Sequence, residues 1–199
     1  MRIVLADEED LFRGAFVALL EQEADVEVVA AVGNGDCAVA QALEHRPDIV
    51  VLDVLMPGRD GIEAAADIRA RMDVPIVIVT RQARPAVLRR ALQAGVQGFV
   101  PKTTPAERLV SILRDVQMGN RYIDPEVAAR ALTVPQSPLT PREAQVLRLT
   151  MQGGPVAAIA EQVSLAAGTV RNYLSTAMAK VGARNRFDAA RIAAERGWI

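Results

Sequence analysis

Residues 49–53 read Ile49-Val50-Val51-Leu52-Asp53, and this stretch decides the fold. Four apolar residues run without alternation and stop on a carboxylate. A strand with one wet face alternates apolar and polar residues. An unbroken apolar strand is buried on both faces, as in a parallel sheet covered by helices. The pattern returns upstream at Ile3-Val4-Leu5-Ala6 before Asp7, within the run Arg2–Ala6, and downstream at Ile76-Val77-Ile78-Val79 before Thr80. Val26–Val32 and Gly98–Val100 complete a set of five β-prone runs. Amphipathic stretches separate them. In Arg84–Ala94, Val87, Leu88, Ala91 and Leu92 share one helical face, and Gly95 supplies a C-terminal stop. This alternation predicts an α/β domain built on a five-stranded, doubly wound parallel sheet.

The chain has 199 residues, 51% hydrophobic and 24% charged, which suits soluble globular structure and allows two domains. A net charge of −1 excludes a uniformly basic nucleic-acid binder. The charge is unevenly spread: residues 1–120 carry 13 Lys and Arg against 18 Asp and Glu, and residues 121–199 carry 10 against 6. Such asymmetry predicts two domains with different partners. Cys37 is the one cysteine, so an internal disulfide or a thiolate metal site is excluded. Its Ala- and Val-rich surroundings predict burial. The opening MRIVLADEED turns acidic too soon for a signal peptide, and no apolar run reaches the ~18–20 residues a membrane span needs. A cytoplasmic protein with no membrane partner is expected.

Gly119–Pro138 breaks the rhythm with Gly119, Asn120, Pro125, Pro135 and Pro138, and reads as a linker holding a helical turn or two within Glu126–Leu132. Thr140-Pro141-Arg142-Glu143 is a capping box with Pro at the first helical position, so a helix starts there. Gly153-Gly154 ends it. Further helices are expected at about Val156–Val163, Ala167–Val181 and Asn185–Arg196. Within Ala167–Val181, Val170, Leu174, Ala177 and Val181 share one face, while Arg171, Asn172 and Ser175 share another. An apolar back with an Arg and Asn front suits the DNA major groove, where Arg reads guanine and Asn adenine. Thr169, Lys180, Arg184 and Arg186 are candidates for phosphate contacts. With the preceding helix and turn, this forms a helix-turn-helix pattern.

Chemistry on a doubly wound sheet belongs beyond the carboxyl ends of its strands. Asp7 and Glu8 follow the first run, Asp53 the third, Thr80 the fourth and Lys102 the fifth. Three neighbouring carboxylates repel and call for a hard cation such as Mg²⁺. A lysine and a hydroxyl opposite them can hold an anionic group. Together they suit phosphoryl transfer onto the Asp53 carboxylate.

The segments ADE, LDVLMPGRDG, IVTRQ and FVPK, in this order and spacing, resemble the receiver domain of bacterial two-component response regulators, over residues 1–118. The resemblance implies the strand order 2-1-3-4-5 and a phosphoryl group accepted by Asp53 from a sensor histidine kinase. It implies Mg²⁺ held by Asp7, Glu8, Asp53 and the Leu55 backbone carbonyl, with Lys102 pairing the phosphoryl oxygens. Thr80 would move toward the phosphoryl, with Phe99 as the coupled aromatic. Glu8 stands where the family usually has Asp, and its extra methylene displaces the carboxylate by about 1.5 Å. Arg81 stands where the family usually keeps a small residue, and is expected to point away into solvent.

LTPREAQVLRL, IAEQV, GTVRNY and NRFDAA resemble the LuxR-type (NarL/FixJ) DNA-binding domain, over residues 138–199, which leaves 119–137 as the linker. QARP, RALQAGVQG, GTVRNYLS and ERGW further resemble the DesR-like branch, whose regulators act on membrane-lipid desaturation. The resemblance implies a transcriptional regulator, not an enzyme. It would dimerise on phosphorylation, bind promoter DNA and work with RNA polymerase. A regulator indifferent to phosphorylation is one alternative. An aspartyl-phosphate phosphohydrolase is another, weakened because Asp53-Val54-Leu55 has no second carboxylate two residues on for acid–base work.

Overall fold

The computed structural model describes residues 1–133 and 137–199, and the chain divides into two compact units, Met1–Ala131 and Leu132–Ile199. The first unit alternates strand and helix: β1 (Arg2–Ala6), α1 (Asp10–Leu20), β2 (Glu27–Val32), α2 (Gly35–His45), β3 (Ile49–Leu52), α3 (Gly61–Arg71), β4 (Ile76–Thr80), α4 (Pro85–Gln93), β5 (Gly98–Pro101) and α5 (Ala106–Gln117). A short β6 (Tyr122–Ile123) and α6 (Pro125–Thr133) follow. All strand pairs are parallel, in the order β2-β1-β3-β4-β5-β6.

Each central strand sends alternate side chains to opposite faces. Val4, Val50, Leu52, Ile76, Ile78 and Phe99 pack under α2, α3 and α4. Ile3, Leu5, Ile49, Val51, Val77 and Val79 pack under α1 and α5. Two covered faces explain why the strands lack polar alternation. On α4, Leu88 and Ala91 are buried as expected, but Leu92 is exposed.

The sheet has six strands, not the expected five. The sixth lies in the segment that reads as a linker. Tyr122 N–H donates to the Gln97 carbonyl and Asp124 N–H to the Phe99 carbonyl, both at 3.0 Å, which extends the ladder past β5. The Asp124 carboxylate then accepts from the Glu126 and Val127 amides, starting α6, and Val127 is buried in the α4-side core with Phe99. Residues 119–131 thus form structure on the first unit, while residues 134–136 of the expected linker lie outside the described residues. Cys37 is exposed, contrary to expectation. The buried side of α2 is Ala38, Val39 and Ala42, which turns position 37 outward.

The second unit holds α7 (Pro141–Met151), α8 (Val156–Gln162), α9 (Ala167–Val181) and α10 (Arg186–Glu195). The Thr140 hydroxyl accepts from the Glu143 amide at 3.3 Å, and the Glu143 carboxylate accepts from the Thr140 amide at 2.7 Å, closing the capping box. Val170, Leu174, Ala177 and Val181 of α9 pack with Val146, Leu147, Ile159 and Trp198 in one core. Among the described residues, no helix is long and apolar enough to cross a membrane.

Gly61 opens α3 directly against the end of β3. A Cβ on it would lie 1.8 Å from the Asp53 carbonyl oxygen, a backbone atom that cannot swing aside. Gly61→Ala is therefore expected to destabilise the first unit by about 1–3 kcal/mol through overpacking. Calorimetric unfolding of the full chain checks this.

Candidate functional site

β1 and β3 pair with Ala6 opposite Leu52, so the next residues, Asp7 and Asp53, leave the sheet side by side. The Asp53 amide donates to the Ala6 carbonyl at 2.8 Å and holds that register. β4 and β5 pair with Thr80 opposite Pro101, and the Lys102 amide donates to the Thr80 carbonyl at 3.0 Å. Four strand ends therefore deliver Asp7, Asp53, Thr80 and Lys102 to one edge.

The Lys102 ammonium sits among three carboxylates, 2.6 Å from Asp7 Oδ2, 2.7 Å from Asp53 Oδ2 and 2.8 Å from Glu9 Oε1. It also lies 4.3 Å from the centroid of the Phe12 ring, on α1. Asp53 Oδ1 accepts from the Val54 amide at 2.6 Å. Thr80 is fully buried, and its hydroxyl accepts from the Gln82 amide at 3.1 Å. Phe99 is fully buried on the α4 side of the sheet, and Leu55 lies in the loop after β3 with its side chain exposed.

The second acid of the cluster is Glu9, not Glu8. Asp7 Oδ1 accepts from the Glu9 amide at 2.9 Å, a turn in which an Asp side chain bonds backbone two residues on. This turn brings Glu9 back over the pocket and leaves Glu8 exposed. Asp7, Glu9 and Asp53 each offer an oxygen within 4.8 Å of the others. An all-oxygen set of three carboxylates fits a hard divalent cation such as Mg²⁺. Arg81 also departs from expectation: instead of pointing away, it ion-pairs with the second oxygen of Glu9.

The electrostatics follow from burial and from Lys102. Burial pushes the Asp7 carboxyl above its ordinary value, against hydrogen bonds from Lys102 and the Glu9 amide. Lys102 holds the Glu9 carboxyl below its ordinary value. Burial disfavours the Lys102 ammonium, but hydrogen bonds to Asp53, Asp7 and Glu9 outweigh it and raise the lysine above its ordinary value.

On the second unit, Arg171, Asn172 and Ser175 are exposed on α9, opposite its buried side, and Thr169 is half-buried near the helix start. Arg184 is exposed. Arg171, Arg184 and Arg186 line one groove with Leu174 and Met178. Arg186 donates to the Gly154 carbonyl at 3.0 Å and lies over the Phe187 ring. Lys180, expected among the phosphate contacts, instead donates to both oxygens of Glu143, at 2.9 and 2.8 Å. That carboxylate is buried, so the pair fastens α9 to α7.

A sheet whose carboxyl edge gathers acids around one lysine, joined to a helix-turn-helix unit, defines a class. Residues 3–114 match the response regulator receiver domain, and residues 137–193 match the bacterial regulatory proteins of the luxR family. The chain belongs to the LuxR-type, DNA-binding response regulators. It is 37% identical to the transcriptional regulatory protein DesR of Bacillus subtilis (strain 168), across 99% of this chain and 98% of that one. It is 38% identical to the response regulator RamR of Streptomyces coelicolor, across 100% and 98%. Among solved structures it resembles the RcsB–DNA complex, with a TM-score of 0.65, 26% identity and 98% of each chain covered.

Asp7 titrates above its ordinary 3.8 in the folded chain, so its ionisation opposes folding as pH rises from there through the folded value. Asp7→Asn is expected to raise the unfolding midpoint of the first unit at pH 7 while weakening Mg²⁺ binding. Calorimetry and a Mg²⁺ titration check the two halves.

For Glu143, burial is outweighed by hydrogen bonds from Lys180 and Thr140, which hold the carboxyl below its ordinary 4.5. Its stabilisation is complete above 4.5 and is lost as pH falls through the folded value. Lys180→Ala should cost the second unit about 1–3 kcal/mol, since the buried carboxylate loses its charged donor. Glu143→Gln should flatten the acid limb below pH 4.5. The only tryptophan, Trp198, is buried in this core, so its fluorescence reports both.

Proposed function

We propose that this chain is a phosphorylation-controlled transcriptional regulator: a sensor histidine kinase phosphorylates Asp53, and the phosphorylated chain dimerises on promoter DNA. The observation that carries this is the buried Asp53 carboxylate, one oxygen on Lys102 and the other on the Val54 amide, at the carboxyl edge of a receiver fold. Asp53 would take the phosphoryl group at a carboxylate oxygen, and Lys102 would pair with the new phosphoryl oxygens. Asp7, Glu9 and Asp53 would hold Mg²⁺, which neutralises the transferring phosphoryl group when bound. Thr80 and Phe99, on adjacent strands, would couple the site to the α4–β5 side of the sheet.

On DNA, Arg171 and Asn172 would read base edges from the exposed face of α9, with Ser175 beside them. Thr169, Arg184 and Arg186 would meet phosphates. Two copies would place their recognition helices at half-sites about 34 Å apart. The DesR and RamR relatives support a full-length regulator, and the similar response regulator RcsB has been solved in complex with DNA. RNA polymerase is the expected further partner.

The full chain, given Mg²⁺ and acetyl phosphate, should gain the mass of one phosphoryl group and shift from monomer to dimer by light scattering. Asp53→Ala should do neither. A wild-type chain that binds its operator equally with and without label would instead support a regulator indifferent to phosphorylation. Arg171→Ala or Asn172→Ala should each cost ~1–3 kcal/mol on a specific site and relax preference at one base position. Binding to randomised DNA sites checks this, and unchanged discrimination in both variants would remove α9 from the reading role.

A further inference from the structure

We propose that Arg81 and Glu9 form a charged bridge across the mouth of the Asp53 pocket, and that this bridge sets how long a phosphoryl group on Asp53 survives. The inference rests on Asp53 being the phosphoacceptor. Its geometry comes from the strand order. β3 lies between β1 and β4 in the sheet. Asp53 stands at the end of β3, Glu9 follows β1 and Arg81 directly follows β4. An ion pair from Glu9 to Arg81, 72 residues apart in sequence, therefore reaches across the strand end that carries Asp53.

Side-chain exposure is 4% for Asp53 and 3% for Lys102, then rises to 29% for Glu9 and 68% for Arg81. Glu9 spends one oxygen on buried Lys102 and the other on Arg81, so the bridge is anchored at its inner end. An isolated surface pair contributes little because two long side chains must be held in place. Lys102 holds the inner oxygen of Glu9 in the unphosphorylated chain, and Mg²⁺ would hold it in the phosphorylated one, so in both states Arg81 alone needs ordering.

Loss of the phosphoryl group is a hydrolysis. A water oxygen attacks phosphorus, the bond from phosphorus to the Asp53 oxygen breaks, and its electron pair returns to the carboxylate. Both water protons leave on the released phosphate, as dihydrogen phosphate. Attacking and leaving oxygens lie roughly in line, so the water must enter opposite Asp53, from the mouth. A bridge there restricts that entry. Arg81 is thus a positioning residue, acting through Glu9 and through the access it leaves.

The full-length chain is labelled with acetyl phosphate in saturating Mg²⁺, freed of donor, and its loss of label followed by intact mass. Arg81→Ala, and Glu9→Gln at a Mg²⁺ concentration titrated to saturate that variant, should each shorten the half-life about two- to fivefold, the range an exposed ion pair supports. The double variant should lose label no faster than the quicker single one, because either change breaks the same bridge. Arg81→Lys should recover most of the wild-type half-life. High salt screens exposed charges, so it should shorten the half-life of wild type but not of Arg81→Ala. A half-life in Arg81→Ala equal to or longer than wild type, or additive effects in the double variant, would overturn the bridge while leaving Asp53 as phosphoacceptor. A wild-type chain that takes no label, or an Asp53→Ala chain that does, would overturn both.

Discussion

Three carboxylates with oxygens within 4.8 Å of one another cannot share a largely buried pocket unless positive charge sits among them, and Lys102 supplies it. Like charges at that separation would otherwise drive protonation or splay the strand ends apart. The lysine is itself buried, which disfavours its charged form, and only the combined pull of Asp53, Asp7 and Glu9 reverses that. Each charge is therefore tolerated because of the others. The Phe12 ring against the ammonium adds a weak attraction and shields it from water.

The sheet makes this pocket possible by a separate constraint. Because the central strands are apolar on both faces, the ends of the strands are the places where polar side chains can gather without being buried in the core. Parallel pairing then brings those ends to one edge. Gly61 shows how tightly the edge is built, since even a methyl group there would strike the Asp53 backbone. Beyond that crowded edge, half-buried Glu9 pairs with the exposed Arg81 that follows β4.

The second unit uses a buried carboxylate differently. Glu143 closes the cap of α7 and also receives Lys180 from α9. α9 is attached by its apolar back and by the Lys180 pair, and Arg171 and Asn172 remain exposed on its other face.

Local chemistry determined much of this protein from the sequence alone. Unbroken β-branched runs marked strands buried on two faces, and β1 and β3 begin and end where those runs do. Thr140, Pro141 and Glu143 marked the start of α7 because a capping box is complete within four residues. Asp7, Asp53, Thr80 and Lys102 were legible as strand-end residues because the position of a strand end is a local property. Tertiary structure decided the rest. The turn at Asp7 brings Glu9 over the pocket and leaves Glu8 outside, a one-residue shift that composition cannot show. Arg81 found Glu9 and Lys180 found Glu143, because a long flexible side chain takes the partner that packing brings near, from far along the chain. β6 is two residues long and exists only because the open edge of β5 offers it hydrogen bonds. An edge of that kind forms only once the sheet has assembled, so no local pattern in residues 119–133 announces it.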